Sequence, residues 1–147
     1  MREHFQGKSI LVIGGTGTIG RRIVELLMRW QPAVIRILSR DEGKQFEMAH
    51  ELDNDDLLRF FIGDVRDKDR VERACRRVDI VFNLAAMKHV PACEYDPYDA
   101  LKTNVIGTQN VICAAFQNQV KRLLFTSTDK AISPTNVMGA TKLMAER

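Results

Sequence analysis

The stretch Ser9–Gly20, SILVIGGTGTIG, decides the reading of this chain. A short apolar run, Ser9–Ile13, leads straight into Gly14, Gly15, Gly17 and Gly20, and a segment of helical periodicity follows. The glycines satisfy both GxGxxG and GxxGxxG. A tight turn needs the positive φ that glycine tolerates, and a pyrophosphate comes close only where no side chain intervenes. Packing of a helix on a strand needs a third small residue. The N–H groups at the start of the helix then face the anion. A glycine turn can also be purely structural. Strand, glycines and helix in this order instead point to dinucleotide binding, with Gly14, Thr16, Gly17, Thr18, Ile19 and Gly20 as the expected phosphate loop.

Working outward, five short and nearly unbroken apolar runs stand out: Ser9–Ile13, Val34–Leu38, Leu57–Ile62, Val78–Leu84 and Arg122–Thr126. Such runs fit strands covered on both faces better than a half-exposed sheet. Between them lie segments of helical spacing. Ile19, Ile23, Leu26, Leu27 and Trp30 form one stripe, with Arg21, Arg22, Glu25 and Arg29 on the rest of that helix. Further helices are expected over Glu42–Leu52, Lys68–Arg76 and from about Pro97 to Asn118, the last with Leu101, Val105, Thr108, Ile112 and Ala115 inward. A fifth begins near Asn136. The acidic stretch Glu51–Asp56 reads as a solvated helix end and turn. Strands alternating with helices give an α/β, doubly wound parallel sheet, a Rossmann fold of strand order 3-2-1-4-5.

With 147 residues, the chain is long enough for one core and too short for two ordinary domains. A formal charge of +3, from 22 basic and 19 acidic side chains, gives no ground to expect nucleic-acid or membrane binding. The apolar run before the glycines is too short for a signal peptide or a membrane span. Cys75, Cys93 and Cys113 have no paired spacing, so no metal site is expected, and packed, reduced thiols in a cytoplasmic protein are the plain reading.

The second strand should end where an NAD-selective site carries an acid for the ribose hydroxyl. Here stand Ser39 and Arg40. A guanidinium pairs with a 2′-phosphate and stacks on adenine, which favours NADP slightly. Asp41 leaves NAD open, and Arg40 can equally be a solvated side chain. After the third strand, Gly63, Asp64 and Val65 form a turn suited to the adenine edge, although Asp64 can also be a helix cap. Ala85, Ala86, Lys88 and His89 follow the fourth strand at the carboxyl edge of the sheet, where ligands bind in open α/β folds. There Ala85, Ala86 and Lys88 are expected beside the cofactor, with Lys88 also reaching substrate and His89 a turn residue.

The glycine loop, GDVRD at Gly63–Asp67, NLAAMKHVP at Asn83–Pro91, KTNVIGTQN at Lys102–Asn110 and STDKAISPTNVMGATK at Ser127–Lys142 resemble the extended short-chain dehydrogenase/reductase superfamily. Within it the chain is similar to the UDP-N-acetylglucosamine 4,6-dehydratases of bacterial polysaccharide biosynthesis. The resemblance implies a cycle in which hydride leaves sugar carbon 4, water is eliminated across carbons 5 and 6, and hydride returns to carbon 6. It implies Asp129 as the acid for the departing hydroxyl and Lys130 as the base for the carbon-5 proton. Adjacent opposite charges on a strand tip suit these jobs if partial burial raises one pKa and lowers the other, though the pair can also be a surface turn. The resemblance further implies Thr128 near substrate, Asn104 on a helix at the cofactor site, and Lys142 as the lysine of YxxxK on the nicotinamide ribose. The tyrosine of that motif is replaced by Met138, a thioether that cannot exchange a proton.

Relatives of this kind continue for a similar length again, so residues 1–147 are expected to be the NAD(P)-binding half, without the substrate domain. The expected activity is lyase chemistry on a nucleotide sugar by the complete enzyme, as a homo-oligomer. A related epimerase or ketoreductase is disfavoured by Met138, and a non-catalytic NAD(P)-binding sensor is the third reading.

Overall fold

A computed structural model describes residues 2–147. Five parallel strands form one sheet: β1 (Ser9–Ile13), β2 (Val34–Ser39), β3 (Leu58–Ile62), β4 (Ile80–Asn83) and β5 (Arg122–Phe125), in the order β3-β2-β1-β4-β5. The expected doubly wound order is therefore the observed one. Helices α1 (Thr18–Met28), α2 (Glu42–Glu51), α3 (Lys68–Cys75), α4 (Val90–Tyr95), α5 (Pro97–Leu101), α6 (Gly107–Gln117) and α7 (Val137–Glu146) complete it.

The period of two along β1 sends Leu11 and Ile13 to one face and Ile10 and Val12 to the other. Leu11 and Ile13 pack with Val71, Ala74, Val111 and Ala114 of α3 and α6. Ile10 and Val12 pack with Val24, Leu27 and Met48 of α1 and α2. Fully burying each such side chain contributes roughly 1.5–3 kcal/mol. Arg36 on β2 donates to the carbonyls of Ala74 (2.9 Å) and Arg76 (2.6 Å), placing a cation at the C-terminal end of α3. The Glu51–Asp56 stretch is a helix end and turn as expected, with Asp53 and Asn54 at positive φ.

Several local expectations are corrected. Burial on both faces holds for β1, whereas β5 is the edge strand beside β4, with Leu123 and Leu124 exposed among the described residues. Ile19 is exposed rather than part of the buried stripe of α1, where Val24 and Leu27 are the deepest residues. The segment Val90–Tyr95, for which no helix was expected, is a helix with His89 as its N-cap: proline is well suited to a first helical turn. The long helix from Pro97 is interrupted by a π-helical turn at Lys102–Ile106. Thr108 and Ala115 are buried as expected, together with Asn104 and Val111, whereas Leu101 and Ile112 are exposed and Val105 is half-buried.

Candidate active site

Three of the four glycines of the loop, Gly14, Gly17 and Gly20, have separable roles. Gly14 has φ +78° and donates to the Leu38 carbonyl at 2.8 Å, and a Cβ there would lie 3.0 Å from the Ala85 nitrogen. A Cβ on Gly20 would lie 2.5 Å from the Gly14 oxygen and 2.6 Å from the Gly15 Cα, so α1 is seated directly on the turn. Gly17 is different: it is exposed, and its nearest neighbour is 3.4 Å away. Its bare side is open space. Gly17 is also the N-cap of α1, with no side-chain cap and no acidic residue in the first turn. The N–H groups there are available to an anion.

Two cavities meet over this loop, and both are bordered by Gly14, Gly17, Leu84, Ala86 and Lys88. The first, about 320 Å³, runs past Thr16, Ser39 and Arg40 to Asp64 and Val65, with Ala85 on its wall. Thr16 and Ser39 share a 2.7 Å hydroxyl hydrogen bond. Arg40 reaches the Asp64 carboxylate at 3.5 Å. Arg66 grips the same carboxylate through Nε (2.9 Å), Nη2 (2.7 Å) and its backbone N–H (2.9 Å). Burial pushes the Asp64 carboxyl up, but the hydrogen bonds and charge of Arg66, with Arg40, outweigh it and hold the group below the usual carboxylate range. Asp64 does not cap α3; Asp67 does, accepting from the Arg70 N–H at 3.0 Å.

The second cavity, about 290 Å³, is bordered by Thr18, Ile19 and Gly20 on one side. Thr126, Ser127, Thr128, Met138 and Lys142 border the other. Met138 and Lys142 are one turn apart on α7 and both buried. Asn136 caps that helix through the Gly139 N–H at 2.8 Å, and Glu94 on α4 accepts from the Val137 N–H at 2.7 Å. Lys142 Nζ donates to the Thr126 carbonyl at 2.8 Å and lies 4.5 Å from the Phe125 ring centroid. Burial lowers its pKa to about 8, against the opposing influence of Glu146.

Asp129 and Lys130 stand apart from this enclosure. They occupy a 3-10 turn at Asp129–Ala131 beyond the tip of β5, border neither cavity, and leave 83% and 49% of their side chains exposed. The partial burial expected to raise the acid's pKa is therefore absent. Hydrogen bonds from Thr128 (3.0 Å) and Lys130 (3.3 Å) instead lower the Asp129 pKa. Asn104, expected on a helix supporting the site, is buried. It borders neither cavity, and its amide is used within the protein: it accepts from the Met87 N–H (2.8 Å) and donates to the Met87 carbonyl (2.9 Å) and Thr141 Oγ1 (3.0 Å). It supports the loop after β4 rather than facing a ligand.

Residues that the sequence reading missed include Lys44 and Thr103 in the first cavity and Thr126 and Ser127 in the second. Lys44 was within reach of inference, since it lies in the first turn of a helix that starts just after β2. Thr103 was not, because it depends on the π turn. Among the described residues no group of three or more His, Cys, Asp or Glu side chains is placed to hold a metal ion. Cys75 and Cys93 are buried and unpaired, and burial pushes the Cys75 thiol up to about 11.

The family described as polysaccharide biosynthesis protein matches residues 10–147. The chain belongs to that family. Its fold is that of the extended short-chain dehydrogenases/reductases. Over 143 residues it is 57% identical to a protein of Methanocaldococcus jannaschii named an uncharacterized membrane protein. It is 51% identical over 144 residues to a UDP-N-acetylglucosamine 4,6-dehydratase (inverting) of Campylobacter jejuni, and 44% identical over 147 residues to a UDP-glucose 4-epimerase of Rickettsia canadensis. Each match covers 97% of this chain and 43% of the relative, so the chain spans less than half the length of these proteins. Among solved structures, Pen from Bacillus thuringiensis superposes with a TM-score of 0.96 at 51% identity, covering 97% of this chain and 44% of that one. The dTDP-glucose 4,6-dehydratase DesIV of Streptomyces venezuelae, solved with NAD bound, gives 0.85 at 28%, covering 94% and 49%. No helix of the described residues is long and apolar enough to cross a membrane.

Proposed function

We propose that residues 1–147 form the cofactor-binding part of a nucleotide-sugar 4,6-dehydratase acting on UDP-N-acetylglucosamine or a close relative in polysaccharide biosynthesis. The observation that carries this reading is the pair of cavities joined over an uncapped, glycine-lined helix start, with Met138 and Lys142 at one end and Arg40 at the other. The relatives named as dehydratases support it.

The groove fits a nicotinamide dinucleotide: a side chain on Gly17 would fill the open space over the helix start. We place the pyrophosphate at Gly14, Gly17 and Gly20, with Thr16, Thr18 and Ile19 beside it and Lys88 at the seam of the two cavities. Adenosine goes to Ser39, Arg40, Asp64 and Val65, against Ala85 and Ala86. Arg40 and Lys44 at that end favour a 2′-phosphate, hence NADP over NAD. When bound, the nicotinamide supplies the reversible oxidation at sugar carbon 4 and the reduction at carbon 6.

Lys142 holds the nicotinamide ribose. Thr128, bordering the same cavity, orients the sugar. Asp129 protonates the departing hydroxyl and Lys130 removes the carbon-5 proton. For Asp129 to act as an acid, bound substrate has to exclude water from its carboxyl, which disfavours the ionised form and raises its pKa. Met138 contributes shape and no proton.

The 43% share of the relatives' length supports reading this chain as one half of a longer enzyme. Reduced thiols suit a cytoplasmic location. A 4-epimerase is the second reading, favoured by the relatives of that name and disfavoured by the methionine lining the cavity in place of a proton-exchanging tyrosine.

The test uses the full-length enzyme with UDP-N-acetylglucosamine in deuterated water. The expected product is a 4-keto-6-deoxy sugar nucleotide labelled at carbon 5. General base help is typically worth about 100- to 10,000-fold, so Lys130→Ala should nearly stop that exchange while cofactor binding persists and Met138→Leu stays mild. Recovery of a C4 epimer without loss of water overturns the dehydratase reading. Full activity in Lys130→Ala overturns the assignment of the base.

A further inference from the structure

The structure assigns Glu94 the role of a positioning residue for the second cavity. Its carboxylate holds the first turn of α7 so that Met138 and Lys142 stand at the spacing from the Lys88 loop that admits the nicotinamide end of a dinucleotide. This rests on the dinucleotide reading above.

One wall of that cavity is the segment after β4, with Leu84, Ala86 and Lys88, and another carries Met138 and Lys142 on α7. Helix α4 touches both segments with consecutive residues. Cys93 Sγ donates to the Met87 carbonyl at 3.5 Å, and Glu94 Oε1 accepts from the Val137 N–H at 2.7 Å. Met87 lies between Ala86 and Lys88, and Val137 directly precedes Met138. Helix α4 is thus a spacer between the two walls. Glu94 is exposed and borders neither cavity, so it acts on the site only through α7.

Apolar packing alone does not set this spacing. Cys93, Ala100 and Met138 form a small buried cluster, with Met87, Val90 and Val137 packed against it. Such contacts are non-directional, and a methionine side chain adapts to small shifts. The bond from Val137 to Glu94 is directional and charge-assisted, and it places a negative charge at the positive end of the α7 dipole. The first turn of α7 contains no acidic residue of its own, and Asn136 caps it through the Gly139 N–H. One turn beyond Met138, Lys142 Nζ is held by the Thr126 carbonyl at 2.8 Å. The stretch of α7 that borders the cavity is therefore fixed at both ends, at its start by Glu94. No residue of α7 borders the first cavity. Loss of the Glu94 carboxylate then disturbs one end of the groove and spares the other.

The experiment is calorimetric titration of the chain, as wild type, Glu94→Ala and Glu94→Gln, with two ligands. NADP spans both cavities in this reading, and adenosine 2′,5′-bisphosphate occupies the first alone. Loss of one charge-assisted hydrogen bond implies NADP binding weaker by roughly tenfold in Glu94→Ala, with the bisphosphate within about twofold of the wild type. Glu94→Gln keeps an acceptor oxygen at the same reach and should restore NADP affinity to within about threefold. Should Glu94→Ala not fold, Glu94→Asp, a methylene short of Val137, carries the test with the same selective loss. Unchanged NADP affinity in a folded Glu94→Ala protein, equal weakening of both ligands, or no rescue in Glu94→Gln overturns the role of Glu94 and leaves the dinucleotide site standing. A wild type that binds neither ligand overturns the dinucleotide reading and this inference with it.

Discussion

At the scale of single residues, Lys142 carries the sharpest physical signature. An ordinary lysine holds its proton to about pH 10.5, whereas burial brings Lys142 to about 8. Between those values the unfolded chain binds more protons than the native one, so stability rises with pH. Below pH 8 both states are protonated, and the native state bears the whole cost of the buried ammonium, on the order of 3 kcal/mol. Urea melts from pH 7.5 to 10.5 should therefore show the wild type gaining stability relative to Lys142→Met, a comparison from which the opposing titration of the buried Cys75 thiol, common to both proteins, cancels. The same rise in both proteins would mean that Lys142 is not the group responsible. The identity of this lysine was legible in the sequence from its place four residues after Met138, but its depressed pKa was not. The depression comes from packing of α7 against the segment after β5, where a Cβ on Gly139 would lie 2.2 Å from the Lys130 carbonyl oxygen. Asp129 shows the converse. Its candidacy came from the motif, while its exposure and lowered pKa depend on a 3-10 turn that no periodicity signals.

At the scale of elements, the strands were readable because the central ones are mostly apolar and buried on both faces, most completely in β1 and β4. The long helix was harder. A uniform 3.6-residue period places Leu101, Val105, Thr108, Ile112 and Ala115 inward, which holds for Thr108 and Ala115, while a π turn adds a residue and offsets the faces of the segments on its two sides. The turn itself carries Asn104, whose amide meets Met87 and Thr141. In Asn104→Ala, the Met87 N–H and carbonyl and the Thr141 hydroxyl lose that partner, at a cost of about 1–3 kcal/mol. Because the loop after β4 borders both cavities, dinucleotide affinity should weaken alongside stability. A variant as stable as the wild type in denaturant titration would show that the π turn holds itself without this amide.

At the scale of the whole molecule, helices α5 and α6 carry an apolar stripe that faces outward. Tyr98, Leu101, Ile112 and Phe116 are all exposed, Phe116 to 86%, and Met144 on α7 is exposed as well. Exposed apolar stripes of this kind mark interaction surfaces. The proposal of a homo-oligomer built on the α5–α6 face and α7 follows from this stripe. Sedimentation at high concentration should show self-association that the double variant Ile112→Glu, Phe116→Glu abolishes without unfolding. A wild type that stays strictly monomeric would count against it. Two members of the stripe, Leu101 and Ile112, were read from the sequence as inward-facing, since hydrophobic spacing reports that a face is apolar and not what covers it.

The central claim is a dinucleotide site built on the glycine loop, and Gly17 isolates it from the fold. A Cβ there meets nothing closer than 3.4 Å, whereas one on Gly20 lies 2.5 Å from the backbone of the turn. Gly17→Val should therefore fold and yet fill the groove. The measurement is calorimetric titration of NADP into both proteins, with circular dichroism to verify that the variant is folded. The expected result is one site in the wild type and no detectable binding in Gly17→Val. Unchanged affinity in a correctly folded Gly17→Val protein would contradict the phosphate site, and with it the functional reading built on it.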